Sequence, residues 1–210
     1  MSHRRLAVCF VTLCGHAQAP PAFEVASVKA NQSNAQGGTP PQFVSGGRFV
    51  SSNMPLLFVV AAAWNTPFQG PRLSGDSDLL SLLRDRYDID ARAPADAFPA
   101  GTSEQARREK MRLMLQALLA DRFKLVMRKE TKELPIYAVV VAKGGPKLEK
   151  AKIGEAQCLD QGAGDFGVIC HSFNGGQGRG LHGAAVDVAD LALYVENWAQ
   201  RPVVDKTGIK

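Results

Sequence analysis

The stretch from Thr102 to Leu119 leaves the chain little freedom. Met111, Met114, Leu115, Leu118 and Leu119 fall at i, i+3, i+4, i+7 and i+8, which on a helix of 3.6 residues per turn is one apolar face. A face of that width has to be buried against a second layer. Thr102 is placed to cap the helix, with Gln105 completing a capping box. Next, "RFKLVMRKE" (122–130) alternates Phe123, Leu125 and Met127 with Lys124, Val126 and Arg128. "IYAVVVA" (136–142) then follows, β-branched and nearly all apolar, with 131–135 available to turn the chain. This pair reads as a β-hairpin, the first strand half exposed and the second more deeply buried.

Two similar units flank that centre. "GRFVSSNMPLLFVVAAAW" (47–64) and "GRGLHGAAVDVADLALYVENW" (178–198) both run from Gly-Arg through a short strand into a helix with a tryptophan at or near its end. Pro55 suits the first turn of the earlier helix, where a missing N–H costs nothing. Asp187 is the expected cap of the later one, with Asp190 near its positive terminus; Val188, Leu191, Ala192 and Val195 make its expected buried face. A first strand is read over 23–30, a polar Gly/Pro-rich linker over 31–41, a short helix within "LSGDSDLLSLLRD" and a strand over 86–93. The expected fold is α+β: two strand–helix–strand units (about 46–93 and 158–210) around a central helix and hairpin (about 102–148), with a mixed or antiparallel sheet, in one domain over 20–210.

Residues 1–19 read as a targeting signal. Two arginines precede the apolar run "LAVCFVTLC", and "AQA" supplies small residues at a cleavage point. The run is too short to cross a bilayer, which takes about 20 apolar residues. Val8 and Leu13 stand where a lipoprotein signal needs small residues before Cys9 or Cys14. A periplasmic or secreted protein is expected, without stable membrane insertion. Cleavage would leave Cys158 and Cys170, and an even pair in an exported chain is most simply a disulfide. The competing reading makes Cys170 a nucleophile or metal ligand beside His171.

Few residues of the chain fall into patterns that carry chemistry. The chain carries a net charge of +5, or +3 without Arg4 and Arg5, and its basic residues form no stripe interleaved with aromatics, so nucleic-acid binding is not indicated. "NGGQGRG" (174–180) resembles a phosphate-cradling loop only superficially. Its glycines precede a short strand instead of opening a helix, and no Lys-Ser/Thr pair follows; it reads as a flexible approach to the second unit. No metal, calcium or hydrolase motif is complete, and no cofactor is called for. Asp88 and Asp90 share one face of their strand and, with His182, are the candidate catalytic residues. A solvated strand face is the commoner explanation of the two aspartates, and Trp64, Tyr137 and Trp198 read as core or edge packing. Ser172 beside His171 has no visible orienting acid.

Several segments together, "FEVASVKAN", "GGRFVSSNMPL", "DRYDIDARA", "LMLQALLADRFKLVMRKETKELPIYAVVVAKGGPKL" and "RPVVDKTG", resemble a soil-associated family of exported bacterial proteins of unknown function. That family is expanded in acidobacteria, and its domain also occurs joined to membrane metallopeptidases of the antibiotic-sensor type. The resemblance implies a secreted or periplasmic protein and supplies no catalytic residues to carry over. In the family a segment like "GRYDF" follows "DKTG"; without it the second unit would lack its closing strand and leave an open C-terminal sheet edge, to which a protein partner could add a strand. The expected function is therefore a non-enzymatic domain that binds a protein or an envelope ligand. The rivals are an extracytoplasmic hydrolase and a sensor module acting with a membrane peptidase.

Overall fold

The structure, a computed structural model, describes residues 20–33, 35–146, 148, 150, 172–176, 180–184 and 186–209. Its main layer is a four-stranded antiparallel sheet built from β1 (Val25–Ala30), β2 (Thr39–Val44), β3 (Arg48–Pro55) and β4 (Arg86–Arg92), in the order β1-β4-β3-β2. Alternation sorts the two faces. Phe49, Ser51, Ile89 and Ala91 are buried, while Arg48, Ser52 and Asp90 look outward.

Helices α1 (Leu56–Trp64) and α3 (Glu104–Phe123) cover the buried face. The five α3 residues whose spacing defined its apolar face are all buried, among Leu56, Val59, Val60 and Ala63 of α1 and Phe49 and Ile89 of the sheet. Pro55 immediately precedes α1, and Asn65 closes it in the left-handed region, which asparagine tolerates better than most residues. A short α2 (Ser77–Leu82) is capped by Asp76, which accepts from the Leu79 N–H at 2.8 Å.

Two small two-stranded sheets lie among the other described residues. β5 (Tyr137–Val139) pairs in parallel with β8 (Val203–Asp205), and β6 (Ser172–Gly176) pairs antiparallel with β7 (Gly180–Ala184). Helix α4 (Val188–Glu196) lies between β7 and β8 in the chain; Asp187 caps it as its sequence predicts, and Asp190 completes a capping box. The α+β class holds.

Several details differ from the sequence reading. The cap of α3 is Ser103, whose hydroxyl accepts from the Ala106 N–H; Thr102 bonds back to the Pro99 carbonyl instead. The supposed linker contains β2, where Pro40 and Pro41 are tolerated because the strand is at an edge and irregular between Thr39 and Gln42. Residues 124–136 form no strand, so the expected hairpin is absent. Leu125 is nonetheless buried and Val126 exposed: the alternation read the faces correctly but not the pairing. Of "NGGQGRG", Asn174–Gly176 belong to β6 and Gly180 to β7, with Gly176 and Gly180 paired at the end of the ladder, so these residues are strand and not a loose approach; 177–179 lie outside the described residues. β3, α1, α2 and β4 follow one another in the first stretch and β6, β7, α4 and β8 in the second; β3 pairs with β4, whereas β7 pairs with β6 and β8 with β5. At the β2–β3 turn Gly47 has φ +73°, and a Cβ there would come within 2.8 Å of the Phe98 ring, so only glycine fits.

Candidate functional site

Asp88 and Asp90 lie two residues apart on the outer face of β4, and each is engaged. Asp90 takes a bidentate contact from Arg48, which holds its carboxyl below the usual range. Asp88 accepts from Asn31 Nδ2 (2.9 and 3.0 Å), from the Ser52 hydroxyl (2.7 Å) and from the Asn53 N–H (2.8 Å). Those bonds, the one from Asn31 foremost, lower its pKa. Asn53 sits at φ 51° where the β3–β4 register slips, and its amide donates to the Ala35 carbonyl. Asp88 thus clamps a bulge and the chain that crosses it. His182 is exposed on β7, in another sheet. Cys158, Cys170 and His171 lie outside the described residues.

This arrangement has a pH consequence. A carboxylate with a depressed folded pKa contributes stability above its unfolded pKa of about 3.9, and that contribution is lost as pH falls through the folded value. Asp88→Asn should lower stability by about 1–2 kcal/mol near neutrality, and the gap to the unmodified protein should close as the solution is acidified below pH 4. Thermal unfolding of both proteins across this range tests it; a gap that persists at the acid end would show that the charge of Asp88 is irrelevant.

A shallow hollow of about 380 Å³ lies between α1 and α3, beside Trp64, Arg112, Leu113 and Gln116. Its polar groups close the end of α1: Gln116 donates to the Ala63 carbonyl and Arg112 Nη2 to Asn65 Oδ1, both at 2.8 Å. Burial, followed by repulsion from Arg108, lowers the Arg112 pKa. The hollow is a helix joint. Among the described residues no group of three or more His, Cys, Asp or Glu could hold a metal ion, and no helix is long and apolar enough to cross a membrane.

The least expected surface is β5 and its flanks. The apolar run predicted to be the deeper strand is the exposed one: Tyr137 is 48% and Val140 64% accessible, with Leu134, Ile136 and Val141 also exposed. The Tyr137 N–H donates to the Pro202 carbonyl (2.8 Å), and the Lys206 N–H donates to the Val139 carbonyl (2.9 Å). Since backbone groups alternate sides along a strand, Tyr137 and Val139 face β8 and Ala138 presents its N–H and C=O to the opposite edge, which no other strand pairs with among the described residues. The Arg201 guanidinium lies 5.4 Å from the centre of the Tyr137 ring. Trp198, just beyond α4, is 65% accessible, with its ring 4.8 Å from that of Tyr194.

The family described as "protein of unknown function (DUF3738)" matches residues 59–210. The chain belongs to that family. The DUF3738 match runs from within α1 to the last described residues, so it takes in β5, α4 and β8 and leaves β1–β3 outside, although β4 pairs with both β1 and β3. No curated protein matches the chain, and no solved structure does.

One residue within the DUF3738 region escaped the sequence reading altogether. Val195 was expected to complete the buried face of α4 but is exposed, and Glu196 takes the inward position with no accessible surface. Arg72 grips both of its carboxylate oxygens, and the Val203 N–H donates to Oε2 at 2.8 Å. The spacing Val188, Ala192, Glu196 held the signal, but a glutamate reads as solvent-facing unless its partner, far away in the chain, is known.

Proposed function

We propose that this chain is a non-enzymatic binding module, working in the extracytoplasmic setting its N-terminal pattern points to, and that it takes an extended segment of another protein along the free edge of β5. The supporting observation is the exposed apolar run 134–141 on a strand whose one partner among the described residues is parallel. Parallel pairs normally occur in sheets covered on both faces, and a two-stranded sheet is marginal on its own. An added strand would satisfy the Ala138 backbone and cover Ile136 and Val140, the mode by which sheet edges capture extended peptides. Tyr137, Trp198 and Arg201 are of the residue types that anchor interfaces.

Hydrogen exchange, read with a short synthetic peptide of alternating valine and threonine, tests this. The peptide should slow exchange at Ala138 and Val140. Ala138→Pro should abolish the protection at Val140 at unchanged thermal stability, because the N–H it removes faces away from β8 and an edge strand accepts proline. Unchanged exchange with peptide in millimolar excess would sink the reading.

A further inference from the structure

Resting on that reading, we infer that the segment received by β5 is acidic: an extended strand whose apolar residues alternate with aspartate or glutamate. Along the sequence, positive charge is concentrated in the stretch that contains β5. Residues 124–150 hold seven Lys or Arg against three Glu, a net +4 of the chain's +5. Arg128, Lys129, Lys132 and Lys143 are exposed on the stretches leading into and out of β5, and Lys206 is held at its end by the backbone bond to Val139. Lys132 pairs with Glu130 at 3.0 Å, whereas Arg128, Lys129, Lys143 and Lys206 make no ion pair within 4 Å among the described residues. The one nearby acid on β8, Asp205, is occupied by the N–H and hydroxyl of Thr207. Among the described residues of this stretch Glu133 is the remaining opposing charge. A basic rim around an apolar strip meets a partner of opposite sign, which steers encounter and fixes register.

An anionic lipid surface would satisfy the charge and the apolar strip equally well. It would not satisfy the edge, because the Ala138 N–H and C=O need hydrogen-bond partners that hydrocarbon lacks. The backbone therefore selects a polypeptide strand.

Fluorescence anisotropy with three labelled peptides, valine alternating with glutamate, threonine or lysine, reads the inference directly, with amide exchange at Ala138 as the second readout. The glutamate peptide should bind about tenfold or more tighter than the threonine peptide at low salt, from a few exposed pairs acting together, and the gap should shrink as salt is raised. Lys129→Glu combined with Lys143→Glu, both surface changes, should abolish the preference while thermal stability holds. If all three peptides protect Ala138 and bind alike, the acidic partner is refuted and strand addition stands. If none protects Ala138, both readings fall. Tight binding to anionic vesicles without protection at Ala138 would assign the surface to lipid and overturn the inference.

Discussion

Arg72→Ala should cost about 3 kcal/mol of stability, the lower end of what removing one partner from a buried ion pair costs. Glu196 has no accessible surface, and its two oxygens receive Arg72 Nε, Arg72 Nη2 and the Val203 N–H. Without Arg72 a carboxylate remains in the interior with one neutral donor. The guanidinium is partly exposed, so water can enter after the truncation, and this keeps the loss from reaching the upper range. For a chain of this length the change should lower the melting temperature by roughly 6–12 °C. Arg72→Lys should recover only part of it, since an ammonium cannot reproduce the two-toothed grip. Arg72→Met with Glu196→Leu should recover most of it, because no charge is then left buried; the residue is the lost acceptor of the Val203 N–H.

The same pair fixes the candidate binding edge. Arg72 belongs to the connection between α1 and α2, Glu196 ends α4, and Val203 begins β8. A second bond, from the Phe68 N–H to Asn197 Oδ1 at 3.0 Å, runs alongside. β8 is therefore tied to the main layer through Glu196, and β5 is held by β8. Arg72→Ala should speed amide exchange in 203–206 more than in β3 or β4. Equal protection in both places would mean that β8 is anchored some other way.

How legible all this was depends on the range of the interactions involved. The apolar face of α3 is set by neighbours three and four residues apart, so the sequence displays it directly; the Asp187 cap of α4 is local in the same way. β2 was hidden because two prolines mimic a linker, and only its position at a sheet edge makes them acceptable. The hairpin failed for the opposite reason: the local pattern of 122–142 was consistent with it, but the partner β5 found lies more than sixty residues away, and parallel pairing carries no turn signature. Glu196 needed a partner 124 residues distant. The candidate site was missed for a further reason. Chemical type singles out Asp88, Asp90 and His182, whereas the exposed surface at β5 is made of valine, isoleucine and tyrosine that composition assigns to a core. Burial distinguishes the two uses of such residues, and burial is not a local property.

Phe49→Ala should produce the other large effect, a loss of about 3–5 kcal/mol. Phe49 has no accessible surface, stands opposite Ala91 in the middle of the sheet and lies 5.3 Å, centre to centre, from the Phe43 ring. Both helices that could collapse into the void are already filled against each other through Leu56, Val59, Met114 and Leu115, and Ala91 is too short to reach across. The cavity therefore persists and its lining loses contacts outright. Urea unfolding measures the loss, with an unchanged m value showing that the unfolded state is unaltered. The informative control is Tyr137→Ala. As an aromatic on an exposed strand it should cost no more than about 0.5 kcal/mol, the usual range for surface positions, while weakening peptide capture at the β5 edge. A loss at Tyr137 comparable to that at Phe49 would place β5 within the core and remove the basis for strand addition.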